Sequence, residues 1–164
     1  MLAKLLLLLT TVSTCHPCQY SEAGLALTQH FEGFSPFVYE DVAGKRTIGF
    51  GHLVRPGEHF AEPITPDEAD SLLDEDVRIS VTGVNRLVTR PLKQGQFDSL
   101  VDFSFNLGVG ALQGSTALKK VNAGKHAEVP GEFMQWNKAR VNGVLQPLVS
   151  LTRRRESEGE FYAR

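Results

Sequence analysis

The chain has 164 residues, enough for one domain or for two small lobes sharing a core. Its 41% hydrophobic and 22% charged residues exclude wholesale disorder, and no apolar run approaches the roughly 20 residues of a bilayer-spanning helix. Charge is unevenly spread: residues 1–76 carry 4 Lys/Arg against 12 Asp/Glu and residues 77–164 carry 13 against 7, so the second half offers a basic face to anionic partners.

The first segment reads as a leader. Lys4, the run Leu5–Leu9 and the small residues that follow form the pattern of a secretory signal peptide, with cleavage after Ser13, Thr14 or Cys15. Residues 1–18 are assigned to it and residues 19–164 to the mature domain, which makes the protein secreted, or exported to the periplasm in a phage or bacterial setting. Its short length and Cys pair are closer to a eukaryotic secretory signal than to a phage anchor, and the apolar run is too short for stable membrane insertion. Cys15-His16-Pro17-Cys18 has redox-motif spacing, but no βαβ pattern follows it, so dithiol chemistry is disfavoured. The remainder of the chain has no cysteine, and either Cys can pair only with its neighbour or with another chain.

Past the leader, Ser21 caps a helix in which Ala23, Leu27 and Phe31 form an apolar stripe, with Glu32 on the last turn before Gly33. Strands are expected at Phe37–Tyr39 and Thr47–Leu53 around a turn at Ala43-Gly44-Lys45, the one convincing β region. Thr65-Pro66-Asp67-Glu68 is a capping box with Pro at the first helical position, and opens a helix running to Val84. A third helix carries Phe97, Leu100, Val101 and Phe105 and ends at Gly108. Helices at Thr116–Val121, Glu132–Lys138 and Leu148–Tyr162 complete the chain. The fold class is α+β and mostly helical, with a small acidic β-containing lobe, a long connecting helix, a basic helical lobe and a cleft between the lobes.

Glu32 to His52 is the chemically informative stretch. Hydrolysis of an acetal needs one protonated and one ionised carboxyl group on opposite sides of the scissile bond. Glu32 has Phe31, Phe34 and Phe37 nearby in sequence, surroundings that disfavour the charged form, whereas Asp41 lies in a polar turn with Glu40, Lys45 and Arg46. Spacing alone does not separate such a pair from two solvated surface carboxylates.

Glu32, eight residues, Asp41, five residues, Thr47, then Ile48-Gly49-Phe50-Gly51-His52-Leu53, resembles the signature of the phage-type (T4-like) lysozymes. The resemblance continues in Asp98-Ser99-Leu100-Val101-Asp102-Phe103-Ser104-Phe105-Asn106-Leu107-Gly108 and in Leu151-Thr152-Arg153-Arg154-Arg155-Glu156-Ser157-Glu158. It implies a lysozyme-like fold and hydrolysis of the β-1,4 bond between N-acetylmuramic acid and N-acetylglucosamine in bacterial peptidoglycan. By position, Glu32 would be the general acid, and Asp41 with Thr47 would direct water in an inverting reaction. Leu53 and Phe105 would line the cleft, although helical position also suits Phe105 to the core, the favoured reading.

Four further expectations concern neighbours of this stretch. His52 is expected to be structural, paired with Asp76 on the following helix. Gly49 and Gly51 suit either close approach of sugar to backbone or a bulged strand. Trp136 and Asn137 suit the sugar site or helix packing, and at least one of Arg153, Arg154 and Arg155 should order Glu158 or the cleft rim. His30, His52, His59 and His126 lack metal-ligand spacing, so no metal or cofactor is expected. The basic residues lack the interleaved aromatics of a single-strand binder, leaving a monomer acting on peptidoglycan without nucleic acid. The two other readings are a lytic transglycosylase, which uses Glu alone, and a wall-binding or membrane-disrupting module acting through the basic C-terminal helix.

Overall fold

A computed structural model describes residues 14–41 and 44–164. In chain order its elements are β1 (Thr14–Cys15), α1 (Glu22–Glu32), β2 (Ser35–Glu40), β3 (Arg46–Gly49), β4 (His52–Leu53), α2 (Pro66–Leu87), β5 (Leu92–Lys93), α3 (Gln94–Leu107), α4 (Val109–Gly114), α5 (Thr116–Asn122), α6 (Val129–Phe133), β6 (Lys138–Val141), β7 (Val144–Pro147) and α7 (Val149–Ala163). Short 3₁₀ turns flank α6.

The capping signals act as written. Ser21 Oγ accepts from Gly24 N at 3.1 Å, and Thr65 and Glu68 form the reciprocal capping box that starts α2. From there α2 runs 22 residues and joins two apolar clusters. The smaller, Ile48, Ile64 and Ala69, lies under the antiparallel sheet β2-β3-β4. The larger surrounds α3, whose Leu100, Val101 and Phe103 are fully buried against Val84 of α2, Leu112 of α4, Val121 of α5, Phe133 of α6 and Tyr162 of α7. This is the expected α+β arrangement, with the sheet lobe and helical lobe joined through α2.

Several local expectations give way to tertiary context. On α1 the buried residues are Gly24 and Thr28, not the stripe Ala23, Leu27 and Phe31. Gly24 is required because a Cβ there would lie 2.4 Å from the Tyr20 ring, and Thr28 because its hydroxyl meets Asp102 at 2.7 Å. The apolar run Thr47–Leu53 is two strands, since Gly49 and Gly51 adopt φ +65° and +84° and turn the chain between Ile48 and His52, which pair. The helix expected at Glu132–Lys138 ends early. Lys138 instead begins a hairpin, β6-β7, that closes at Asn142-Gly143 with both residues at positive φ, so the Glu32–His52 stretch is not the only β region. Part of the turn expected at Ala43-Gly44-Lys45, and residues 1–13 of the expected leader, lie outside the described residues.

Residues 14–18, assigned to the leader by sequence, are part of the folded body. Thr14 and Cys15 pair with Lys93 and Leu92, and Cys18 is 6% exposed within the larger cluster. Asn85 clamps both polar groups of the Cys18 backbone, accepting from its N–H at 2.8 Å and donating to its C=O at 2.9 Å. Cys15 and Cys18 form a disulfide, one of the pairings left open by sequence. Closing so short a loop stabilises by about 2 kcal/mol in the chain-entropy account. Urea unfolding with and without reductant is expected to show a loss of that size; an unchanged midpoint would mean that Asn85 and β5 hold the segment unaided.

Candidate active site

Glu32 ends α1 because Gly33 follows it, its N–H returning to Gln29 O at 3.1 Å. That stop leaves the carboxyl facing the sheet: a Cβ on Gly51 would lie 3.5 Å from Glu32 Oε2. Gly51 therefore supplies close backbone approach beside this carboxylate. Gly49 has a different role, keeping β3 against Ala69 of α2, where an added Cβ would come within 3.2 Å of the Ala69 Cβ.

The other face of Glu32 meets α7. Arg154 donates from Nη1 to Glu32 Oε1 at 2.6 Å and holds Asp102 with Nε at 3.0 Å and Nη2 at 2.9 Å. Its guanidinium also lies 5.4 Å from the Phe31 ring centroid. Burial works against the Arg154 charge, but Asp102 and then Glu32 outweigh it, leaving the guanidinium firmly protonated. Phe34 and Phe37, expected to wrap Glu32, are 42% and 54% exposed. The immediate partner of Glu32 is thus a cation rather than an apolar pocket.

Asp41 and Thr47 are joined through one residue. Lys45 N donates to Asp41 Oδ1 at 2.9 Å, while Lys45 O accepts from Asp41 N at 2.9 Å and from Thr47 Oγ1 at 3.1 Å. Thr47 is 5% exposed in β3, opposite Tyr39 on one side and Leu53 on the other. With its proton directed at Lys45 O, the Thr47 hydroxyl is left to accept. The sheet therefore carries the Asp41–Thr47 pair at one end and Glu32 beside its Gly49–Gly51 turn.

Leu53 is 46% exposed on the sheet surface. Phe105 is half-buried and lies outside both apolar clusters, so the favoured core reading does not hold. Trp136 does pack on the core, edge-on to Phe103 at 5.7 Å, and Asn137 secures the base of the hairpin by accepting from Leu148 N and donating to Thr152 Oγ1. His52 is buried and pairs as expected with Asp76, its Nδ1 lying 2.8 Å from that carboxylate. Sequence reasoning missed Glu58, 3.1 Å from Nε2; with both ring nitrogens engaged, His52 is poorly placed to act as a base. The Arg55 amide, and after it His52, hold the Glu58 carboxyl below its ordinary range.

The buried group behind Glu32 was only partly foreseen. Arg153 is solvated, whereas Arg154 reaches Glu32 and Arg155 meets Glu158 at 2.7 Å, the ordering of Glu158 expected of the arginine run. Arg155 also lies over Phe103 and donates to Asn106 at 2.9 Å. Asp102 and Glu158 are both fully buried. Burial raises the Asp102 carboxyl, but Arg154 outweighs it and leaves the group below the usual range, hence ionised. Burial first, then the Asp102 charge, push Glu158 well above its usual range, so it retains its proton. The charged run hid this division, which depends on helix facing: residues three and four apart on α7 share the buried side.

The chain matches the phage lysozyme family over residues 29–158. It is 38% identical over 142 residues to an endolysin of Acyrthosiphon pisum secondary endosymbiont phage 1, covering 87% of this chain and 96% of that protein. Among solved structures, the muramidase domain of SpmX from Asticaccaulis excentricus superposes with a TM-score of 0.81 at 36% identity, covering 89% of this chain and 98% of that one. The endolysin from Escherichia coli O157:H7 phage FAHEc1 gives 0.83 at 35% identity, over 92% and 96%. The match extends from the helix carrying Glu32 to the helix carrying Arg154, and on it the chain belongs to the phage lysozyme family.

Proposed function

We propose that the protein is a glycoside hydrolase that cleaves the β-1,4 bond between N-acetylmuramic acid and N-acetylglucosamine in bacterial peptidoglycan, with inversion and as a monomer. The observation that carries this reading is one sheet flanked by the required groups: Glu32 beside Gly51, and Asp41 with Thr47 tied to Lys45. Glu32 gives its proton to the leaving oxygen. Asp41, aided by the accepting Thr47 hydroxyl, orients water at the anomeric carbon and takes up its proton. Inversion needs room for that water, roughly 6.5–9.5 Å between the carboxyl groups. Leu53 and Phe105, neither sealed in the core, contact the glycan.

Export fits the disulfide, since thiols are oxidised in secreted and periplasmic compartments. Cleavage after Ser13 leaves both cysteines on the mature chain, whereas cleavage after Cys15 separates them.

Digestion of purified peptidoglycan, followed by mass spectrometry and an NMR time course, tests the reaction. Reducing muropeptides with the α anomer appearing first are expected. Anhydro products would make the protein a transglycosylase, β anomer first would make it retaining, and bacterial killing without bond cleavage would remove it from the enzymes.

A further inference from the structure

The Arg154 guanidinium raises a difficulty for an acid catalyst. A cation at hydrogen-bond distance stabilises a carboxylate, the wrong form for a group that must deliver a proton. Arg154 touches Glu32 at 2.6 Å, yet it spends its other two donor arms on Asp102, at 3.0 and 2.9 Å, in a two-pronged carboxylate pairing.

We propose that Asp102 is a positioning residue for the reaction: it anchors Arg154 and cancels its charge, so that the remaining arm orients Glu32 from within a nearly neutral pair. The inference rests on Glu32 being the general acid. Asp102 is built for the task. It is fully buried on α3, and Thr28 of α1 donates to its Oδ1 at 2.7 Å. Tyr20, ahead of α1, lies 2.6 Å from the same Thr28 hydroxyl and fixes it in place.

The other groups facing the cluster cannot substitute for Asp102. Glu158, whose Oε1 is 3.8 Å from Arg154 Nε, is held protonated by burial and so brings no charge. Arg155 is turned toward Glu158, Asn106 and the Phe103 ring. From the sheet, Glu32 meets the Gly51 backbone, which has no charge to offer. Asp102 is thus the ionised partner that offsets Arg154, and Glu32 faces a nearly neutral pair rather than a bare cation. The guanidinium plane, fixed by Asp102 and by Phe31, sets the direction of the third arm.

The test is the pH dependence of peptidoglycan hydrolysis by the full chain. A general acid works while protonated, so activity falls as pH rises through its titration. With Asp102→Asn, Arg154 keeps its charge and faces the acid catalyst uncancelled. The alkaline limb of kcat is expected to move to lower pH by about one unit, with KM little changed. An unmoved limb, or activity lost equally at every pH, would overturn the proposal.

If Asp102→Asn does not fold, the double variant Asp102→Asn/Arg154→Gln removes both charges together, an exchange that buried pairs tolerate better than loss of one partner. It is expected to have reduced kcat, because Glu32 is no longer aimed, with its alkaline limb at the wild-type position. A limb displaced to lower pH in the double variant would overturn the proposal. Failure of the underlying reading is recognised separately, because a Glu32→Gln protein would then still hydrolyse peptidoglycan.

Discussion

Glu32→Gln is expected to lower kcat on peptidoglycan by roughly 10²–10⁴-fold, the contribution of a positioned general acid. Gln keeps the shape of the side chain and an oxygen able to accept from Arg154 Nη1, but carries no proton that it can deliver. The carboxylate sits at the end of α1 and is partly open to solvent, with a side-chain exposure of 24%. Its loss should therefore leave the melting transition and KM little altered. The measurement is the steady-state rate of reducing-end release alongside thermal unfolding of the same preparation. Activity retained within a few-fold, in a variant that melts as the wild type does, would remove Glu32 from the acid role.

Arg154→Met is expected to have the largest effect on stability, about 3–5 kcal/mol near neutral pH, because it leaves Asp102 buried without its partner. Methionine fills much of the volume over Phe31, so the loss is mainly electrostatic. Its pH dependence follows from Asp102. In the wild type Arg154 outweighs burial and holds that carboxyl below its ordinary range. The group then stabilises the fold above the unfolded-state pKa of about 3.9, and this contribution fades as pH falls through the folded value. Without Arg154, burial dominates and the sign reverses: folded Asp102 keeps a proton that the unfolded chain releases. The deficit of Arg154→Met should accordingly be smaller near pH 4 than near pH 7 in urea unfolding. Equal deficits at the two pH values would show that the side chain acts through apolar contact alone. In the wild type Glu158 adds a downward slope with rising pH, because its raised pKa means that the folded state binds the extra proton; in Arg154→Met the loss of the Arg154 charge and of the Asp102 charge act on Glu158 in opposite directions.

Much of the local structure around the proposed site was legible because it follows from local rules. Gly33 ends the helix and leaves Glu32 on the final turn, and a capping box at Thr65 fixes where α2 begins. A short strand pair then carries Asp41 and Thr47 at defined offsets. The His52–Asp76 contact could also be foreseen, since a histidine in a strand can meet an acid on the helix that follows it. Glu58 was not, because it lies in a loop whose course has no periodicity.

Other features were decided by three-dimensional neighbours. The face of α1 that is buried was misread from its apolar stripe. Gly24 and Thr28 turn inward only because Tyr20 and Asp102 arrive there from other segments. The β6-β7 hairpin was missed because Trp136 and Phe133 read as a continuing helix, although Asn142-Gly143 was a turn signal in plain view. Residues 14–18 meet β5 and Asn85, about 70 positions away in the chain, contacts that no local pattern announces.

By itself the sequence determined the α+β class, the order of the main helices, the family resemblance and the three residues proposed for the reaction. The class and the helix order follow from capping and periodicity, which act over a few residues; the three residues are what the family resemblance implies. Tertiary structure decided that Glu32 faces a guanidinium rather than phenylalanine rings, and that of two buried carboxyl groups Asp102 is ionised while Glu158 keeps its proton. Charge states of buried groups depend on desolvation and on partners brought from α1, α3 and α7 at once, and no local pattern encodes that meeting.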